Sequence, residues 1–86
     1  MDINKLNLII KEKISKNISV QSLLIEDKTF LHKNHKNHDK NKFHIKLIIK
    51  SDQLKKLNKI QSTKKIYKIL DEELKMSIHS IQILIS

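Results

Sequence analysis

Between Lys42 and Asp52 the chain reads KFHIKLIIKSD, and the alternation within it leaves little freedom of fold. Phe43, Ile45, Leu47 and Ile49 fall on one side of an extended backbone, and His44, Lys46, Ile48 and Lys50 on the other, because side chains in a strand repeat with a period of two. A strand with one apolar face has to be covered on that face and not on the other. Ser51-Asp52 follows at once, and both residue types cap helix N-termini by accepting from the first unpaired backbone N–H groups.

The flanking segments supply the cover. Ile3, Leu6, Ile10 and Ile14 recur at three- and four-residue spacing, which predicts a helix from Asp2 to about Lys16 with Asp2 as its N-cap. Asn17 is the expected end, through a left-handed cap in a chain that has no glycine. Val20 to about Lys28, with Leu23, Leu24 and Ile25, suits a strand. Residues 31–41, LHKNHKNHDKN, are polar and of low complexity; a loop this long favours a functional segment. After Ser51-Asp52, Leu54, Leu57 and Ile60 are expected to point inward from a short helix, and Gln61-Ser62-Thr63 punctuates it. A second helix then buries Ile66, Tyr67, Leu70 and Leu74 and carries Asp71, Glu72 and Glu73 late in its length, where they oppose the macrodipole. Ile78 to Ile85 closes as a strand with Ile81, Ile83 and Ile85 on one face. The order helix, strand, strand, helix, helix, strand predicts an α/β (α+β) domain spanning residues 1–86, with a three-stranded mixed sheet and helices packed on one face.

Composition narrows the function. At 86 residues a chain buries only roughly 60% of its unfolded surface, so a deep enzymatic pocket has little room to form. With no cysteine, disulfides, zinc cysteinates and thiol catalysis are excluded, and an iron–sulfur cluster cannot be held by this chain alone through the usual thiolates. No Ser, His and acid grouping is suggested by the spacing, and Asp71-Glu72-Glu73 reads as a surface cluster. The sequence points away from an enzyme. The N-terminus lacks the pattern of a secretory signal and no apolar run reaches the ~20 residues of a membrane span, so a cytoplasmic protein without membrane contact, monomeric when free, is expected. The net charge of +9 suits a polyanion or an acidic protein face. Every basic residue other than histidine is lysine, however, and Ala, Gly and Pro are all missing, a composition that A/T-rich coding alone would also produce.

Two groups of residues could carry chemistry. His32, His35 and His38 stand at strict three-residue spacing with Asp39 adjacent; imidazoles suit iron, zinc, nickel and copper. The competing reading is a solvated His-Lys-Asn repeat. Lys55, Lys56, Lys59, Lys64 and Lys65 bracket the junction of the two helices. They could meet a DNA backbone, face an acidic protein surface, or simply be a solvated lysine face. Lysine lacks the planar fork that reads guanine edges, so phosphate attraction is better supported than sequence readout. His44, among lysines on the polar side of its strand, reads as a surface residue.

The succession KFHIKLIIKSD, QLKKLNKIQSTKKIYKILDEELK and MSIHSIQI resembles the BolA family, and nearly the whole chain takes part. The resemblance implies a class II KH-like fold, although a GXXG nucleic-acid clamp is absent. It further implies a non-enzymatic partner of a monothiol glutaredoxin in iron–sulfur trafficking or iron regulation. In that role a histidine ligates a [2Fe–2S] cluster whose sulfur ligands come from glutaredoxin and glutathione. Members of the family often carry a His-x-x-His segment in the loop that here follows EDKTFLH, making His35 and His32 the best matches, with His38 next. His44 matches the histidine of a His-Phe-x-Val strand motif, Ile45 replacing the aromatic residue. Thr63 stands where the family carries a histidine, in an Arg-His-Arg-like triplet, and Lys56 stands near the place of a family glycine. A hydroxyl is a poor substitute for imidazole toward iron, so either the loop histidines substitute or the protein binds its partner without sharing a cluster, and Thr63 itself can serve as the N-cap of the long helix. The resemblance also implies, as alternatives, a DNA-binding transcriptional regulator using the lysine-rich helix pair, or a degenerate paralogue without cluster ligation.

Overall fold

The structure, a computed structural model, describes residues 2–29 and 42–86. Its elements run α1 (Ile3–Asn17), β1 (Ser22–Asp27), β2 (Phe43–Lys50), α2 (Asp52–Lys55), α3 (Lys59–Ile69), α4 (Asp71–Met76) and β3 (Ile78–Ile85). The strands form one mixed sheet in the order β1-β2-β3. β1 and β2 are antiparallel, with Leu23 opposite Ile49 and Ile25 opposite Leu47. β2 and β3 are parallel, with Ile45, Leu47 and Ile49 opposite Ile81, Ile83 and Ile85. The α+β class, the mixed sheet and the one-sided helical cover all match the sequence expectation.

The core lies on one face of that sheet. Leu6, Ile10 and Ile14 of α1, Ile45, Leu47 and Ile49 of β2, Leu54 of α2, and Ile66 and Leu70 around α3 form one buried cluster. Among the described residues no helix packs on the opposite face: Leu24, Ile48 and Leu84 make a row across it, with Leu24 and Leu84 exposed. No helix among the described residues is long and apolar enough to cross a membrane.

Ser51 behaves as the sequence suggests and does more. Its Oγ accepts from Leu54 N at 3.2 Å, capping α2, and donates to Ser19 O at 2.7 Å. Its own N–H donates to Ser86 O at 3.1 Å. One buried serine thus joins the ends of β2, β3 and the α1–β1 connection.

Several local expectations fail for identifiable reasons. The pause between α2 and α3 lies at residues 56–58, not at Gln61-Ser62-Thr63. Asn58 caps α3 in a reciprocal box, accepting from Gln61 N at 2.8 Å while its N–H donates to Gln61 Oε1 at 3.3 Å. Thr63 therefore sits inside α3 and caps nothing, and Ile60 is turned outward, 68% exposed. Tyr67 is also exposed, since it follows Lys59 and Thr63 along a flank of α3 while Ser62 and Ile66 take the buried face. The long helix breaks at Leu70, so Asp71, Glu72 and Glu73 begin α4 and lie in its first turn, where carboxylates favour the macrodipole. Finally, α1 does end at Asn17, but the next residue, Ile18, is extended, and no described residue has a positive φ. Asn17 closes the helix by donating its side-chain amide to Lys13 O at 2.7 Å.

Glu73 is not a surface residue. It is buried and takes the Lys13 ammonium on both oxygens, at 3.0 and 2.8 Å, while Glu72 approaches the same ammonium at 3.5 Å. This ties α4 to α1, and the hydrogen bond to Glu73 holds Lys13 above the usual lysine range. A raised lysine value contributes stability that is complete below the unfolded value and is lost as pH rises through the folded one.

Two predictions follow from these contacts. Asn58→Ala will destabilise the protein by about 1 kcal/mol, whereas Thr63→Ser, which cannot disturb a cap, will cost well under that; equal losses in urea unfolding would show the cap to be misassigned. Lys13→Met will lower the thermal midpoint more than Lys13→Met combined with Glu73→Met, because the single change strands a buried carboxylate. The advantage of wild type over the double variant will shrink as pH passes about 10.4, and a constant difference across that range would contradict the pairing.

Candidate functional site

The parallel ladder between β2 and β3 slips by one residue at its start. Phe43 pairs with Ile78 but His44 pairs with Ser80, leaving His79 as an inserted residue. Such an irregularity bends the strand and re-aims the side chains around it. Beside it two imidazoles meet: the His44 and His79 rings lie 4.8 Å apart, tilted by 48°. His44 is buried, 8% exposed, and its Nδ1 lies 2.6 Å from Ser80 Oγ. The surface placement expected for His44 is thus corrected, since the slipped β3 residues close over it. His79 is exposed.

The main chain of His44 also anchors the neighbouring connection. Its N–H donates to Thr29 Oγ1 at 3.1 Å, and its carbonyl accepts from Lys28 N at 2.7 Å. Thr29 is held in turn by Asp27, which accepts from both its N–H and its hydroxyl. The segment that carries His32, His35, His38 and Asp39 leaves β1 beside His44 and re-enters at β2 immediately before it. Those four residues themselves lie outside the described residues. Among the described ones, no group of three or more His, Cys, Asp or Glu is arranged to hold a metal ion.

Sequence reasoning passed over His79, although a signal exists. The apolar residues of the last strand are Ile78, then Ile81, Ile83 and Ile85. The change of parity between 78 and 81 marks an extra residue, and an extra residue in a strand is a bulge.

Thr63 lies elsewhere, lining a groove between α3 and β3 with Leu54, Leu57 and Ile83. The five lysines do not form one patch. Lys55 and Lys59 border the same groove, Lys65 turns toward Asn17 and Lys68, and Lys56 and Lys64 are exposed. From Gln53 to Leu70 the chain has six lysines and no carboxylate. Among the described residues, ion pairs engage Lys13, Lys16, Lys28 and Lys75 but none of those six.

Comparison with known proteins agrees with this geometry. The family model for BolA-like protein matches residues 14–86. The chain is 36% identical over 73 residues to the DNA-binding transcriptional regulator BolA of Haemophilus influenzae, covering 85% of this chain and 68% of that one. Among solved structures it is similar to the BolA domain of SufE1 from Arabidopsis thaliana, with a TM-score of 0.77, 27% identity and coverage of 100% of this chain and 93% of that one. BolA1 from the same plant gives a TM-score of 0.73 at 25% identity, covering 90% and 85%. With a strand–helix–helix–strand core, a matching family model and a relative above one-third identity, this chain belongs to the BolA family.

Proposed function

We propose that this protein is a cytoplasmic, non-enzymatic partner of a monothiol glutaredoxin, with which it shares a [2Fe–2S] cluster in transfer or in iron regulation. The observation that carries this reading is the His44–His79 pair at the root of the segment holding His32, His35 and His38. Exposed His79 supplies one imidazole, and His35 or His32, with His38 as the remaining candidate, supplies another. His44, fixed by Ser80, sets the position of His79. Neutral imidazoles suit iron, and two of them can replace two thiolates on one iron of such a cluster. The sulfur ligands come from the partner and glutathione, as a chain without cysteine requires. Thr63 takes no part, because its hydroxyl is a weak ligand and it faces a different groove.

Titration of a [2Fe–2S]-loaded monothiol glutaredoxin with this protein, followed by visible circular dichroism, tests the proposal. A new spectrum saturating near equimolar is expected, lost in His79→Ala, weakened in His35→Ala or His32→Ala, and unchanged in Thr63→Ala. An unaltered cluster spectrum on stable complex formation would reject shared ligation, and the absence of any complex would reject the partnership.

A second reading, transcriptional regulation through DNA, is favoured by the name of the Haemophilus relative and by the carboxylate-free lysine stretch. Contacts of this kind bind phosphates and release counterions, so affinity falls steeply with salt. Lys64→Glu with Lys65→Glu will reduce the slope of log affinity against log salt by about two for duplex DNA. A slope that does not change would remove these lysines from the interface.

A further inference from the structure

The closing strand lies at an edge of the sheet. Among the described residues β3 pairs with β2 alone. Ser86 donates its N–H to Ile49 O at 2.8 Å and accepts from Ser51 N. In a parallel ladder such doubly bonded residues recur every second position, so the backbone N–H and C=O groups of Ile81, Ile83 and Ile85 point to the other, open edge. Proteins ordinarily blunt such edges with charge, proline or short length. Here 31% of the chain is charged, yet Ile78–Ile85 spans eight residues with neither a charged residue nor proline.

A groove runs beside this edge. Its cavity, about 410 Å³, is floored by Leu54, Leu57, Ile83 and Ile85 and bordered by Lys55 and Lys59. Leu84 lines it too, although its side chain faces the opposite side of the sheet from those of Ile83 and Ile85. The cavity therefore follows the edge of β3 rather than one face of it. It continues past Thr63 to Tyr67 and Ile81.

From these features we infer that the β3–α3 groove takes an extended acidic peptide segment of a partner protein, added to β3 as a fourth strand. The edge amides and carbonyls bond its backbone, alternate apolar side chains enter beside Leu54 and Leu57, and acidic residues at one end meet Lys55 and Lys59. Charge decides against the other occupants. A second copy paired edge to edge would bring Lys55 and Lys59 of both chains, each of net charge +9, to one interface. A single nucleic-acid strand would exploit the lysines but needs aromatic platforms for its bases, and of the lining residues only Tyr67 is aromatic. Neither His44 nor His79 lines the groove, so this inference stands whether or not a cluster is shared.

The test uses a synthetic peptide in which valine and isoleucine alternate with threonine and which ends in three acidic residues, prepared with the acidic run at either terminus. Titration followed by amide NMR is expected to give saturable shifts and slowed hydrogen exchange at Ile81, Ile83 and Ile85 with one of the two. Lys55→Glu with Lys59→Glu will weaken binding by about tenfold, and N-methylation of alternate peptide amides will abolish it. Undiminished binding of the N-methylated peptide would overturn strand addition. So would no saturable shift with either peptide, tighter binding of oligothymidine at the same residues, or sedimentation as a dimer whose β3 amides are already protected.

Discussion

Burial of Ile45, Leu47 and Ile49 on one face of β2 is the constraint from which the other packing follows. These side chains sit in the middle of a three-stranded sheet and are essentially removed from water. Each such burial is worth about 1.5–3 kcal/mol, and together they oblige every amphipathic helix to lie on the same side. Leu6, Ile10 and Ile14 cover them from α1, and Ile66 and Leu70 from the region of α3. Among the described residues no helix covers the opposite face, and the sheet ends in two edges. Ser51 fixes the arrangement where it would otherwise fray, because one hydroxyl caps α2 and holds the α1–β1 connection at once.

Two departures from regularity give this fold its sites. The one-residue slip at the start of β3 leaves His79 inserted between the partners of Phe43 and His44, with its ring beside that of His44. The early start of α3, forced by the Asn58–Gln61 box, aligns Lys59, Thr63 and Tyr67 along the flank that looks toward β3. Electrostatics separates the two regions further. Lys13, Lys16 and Lys75 are neutralised by carboxylates of α1 and α4, while the α2–α3 lysines have none among the described residues. Of these, Lys55 and Lys59 stand at the groove, where their charge acts on approaching partners rather than on the fold.

Much of this architecture was legible in the residues. Period-two alternation at Phe43–Lys50, three- and four-residue spacing along α1, and the Ser51 cap each have a local cause, so strand, helix and boundary are legible in the residues themselves. The errors fell where two local signals competed. Thr63 and Asn58 are both capping residues, and the choice went to Asn58 because Gln61 stands three positions on to close the box. Nothing in the chemistry of the acidic trio announces the break at Leu70, so its place in the first turn of α4 is not visible in the local sequence.

Sequence alone determined the class of fold, the family resemblance and the exclusion of thiol chemistry, since these depend on periodicity and on which residue types are present. Tertiary structure decided what those residues meet. That His44 is buried, that it touches His79 across 35 positions of chain, that Glu73 holds Lys13, and that Thr63 faces a groove rather than a metal site all rest on long-range packing. Such contacts are set by the register between distant strands and helices. A one-residue slip in that register changes every neighbour while leaving the local pattern intact.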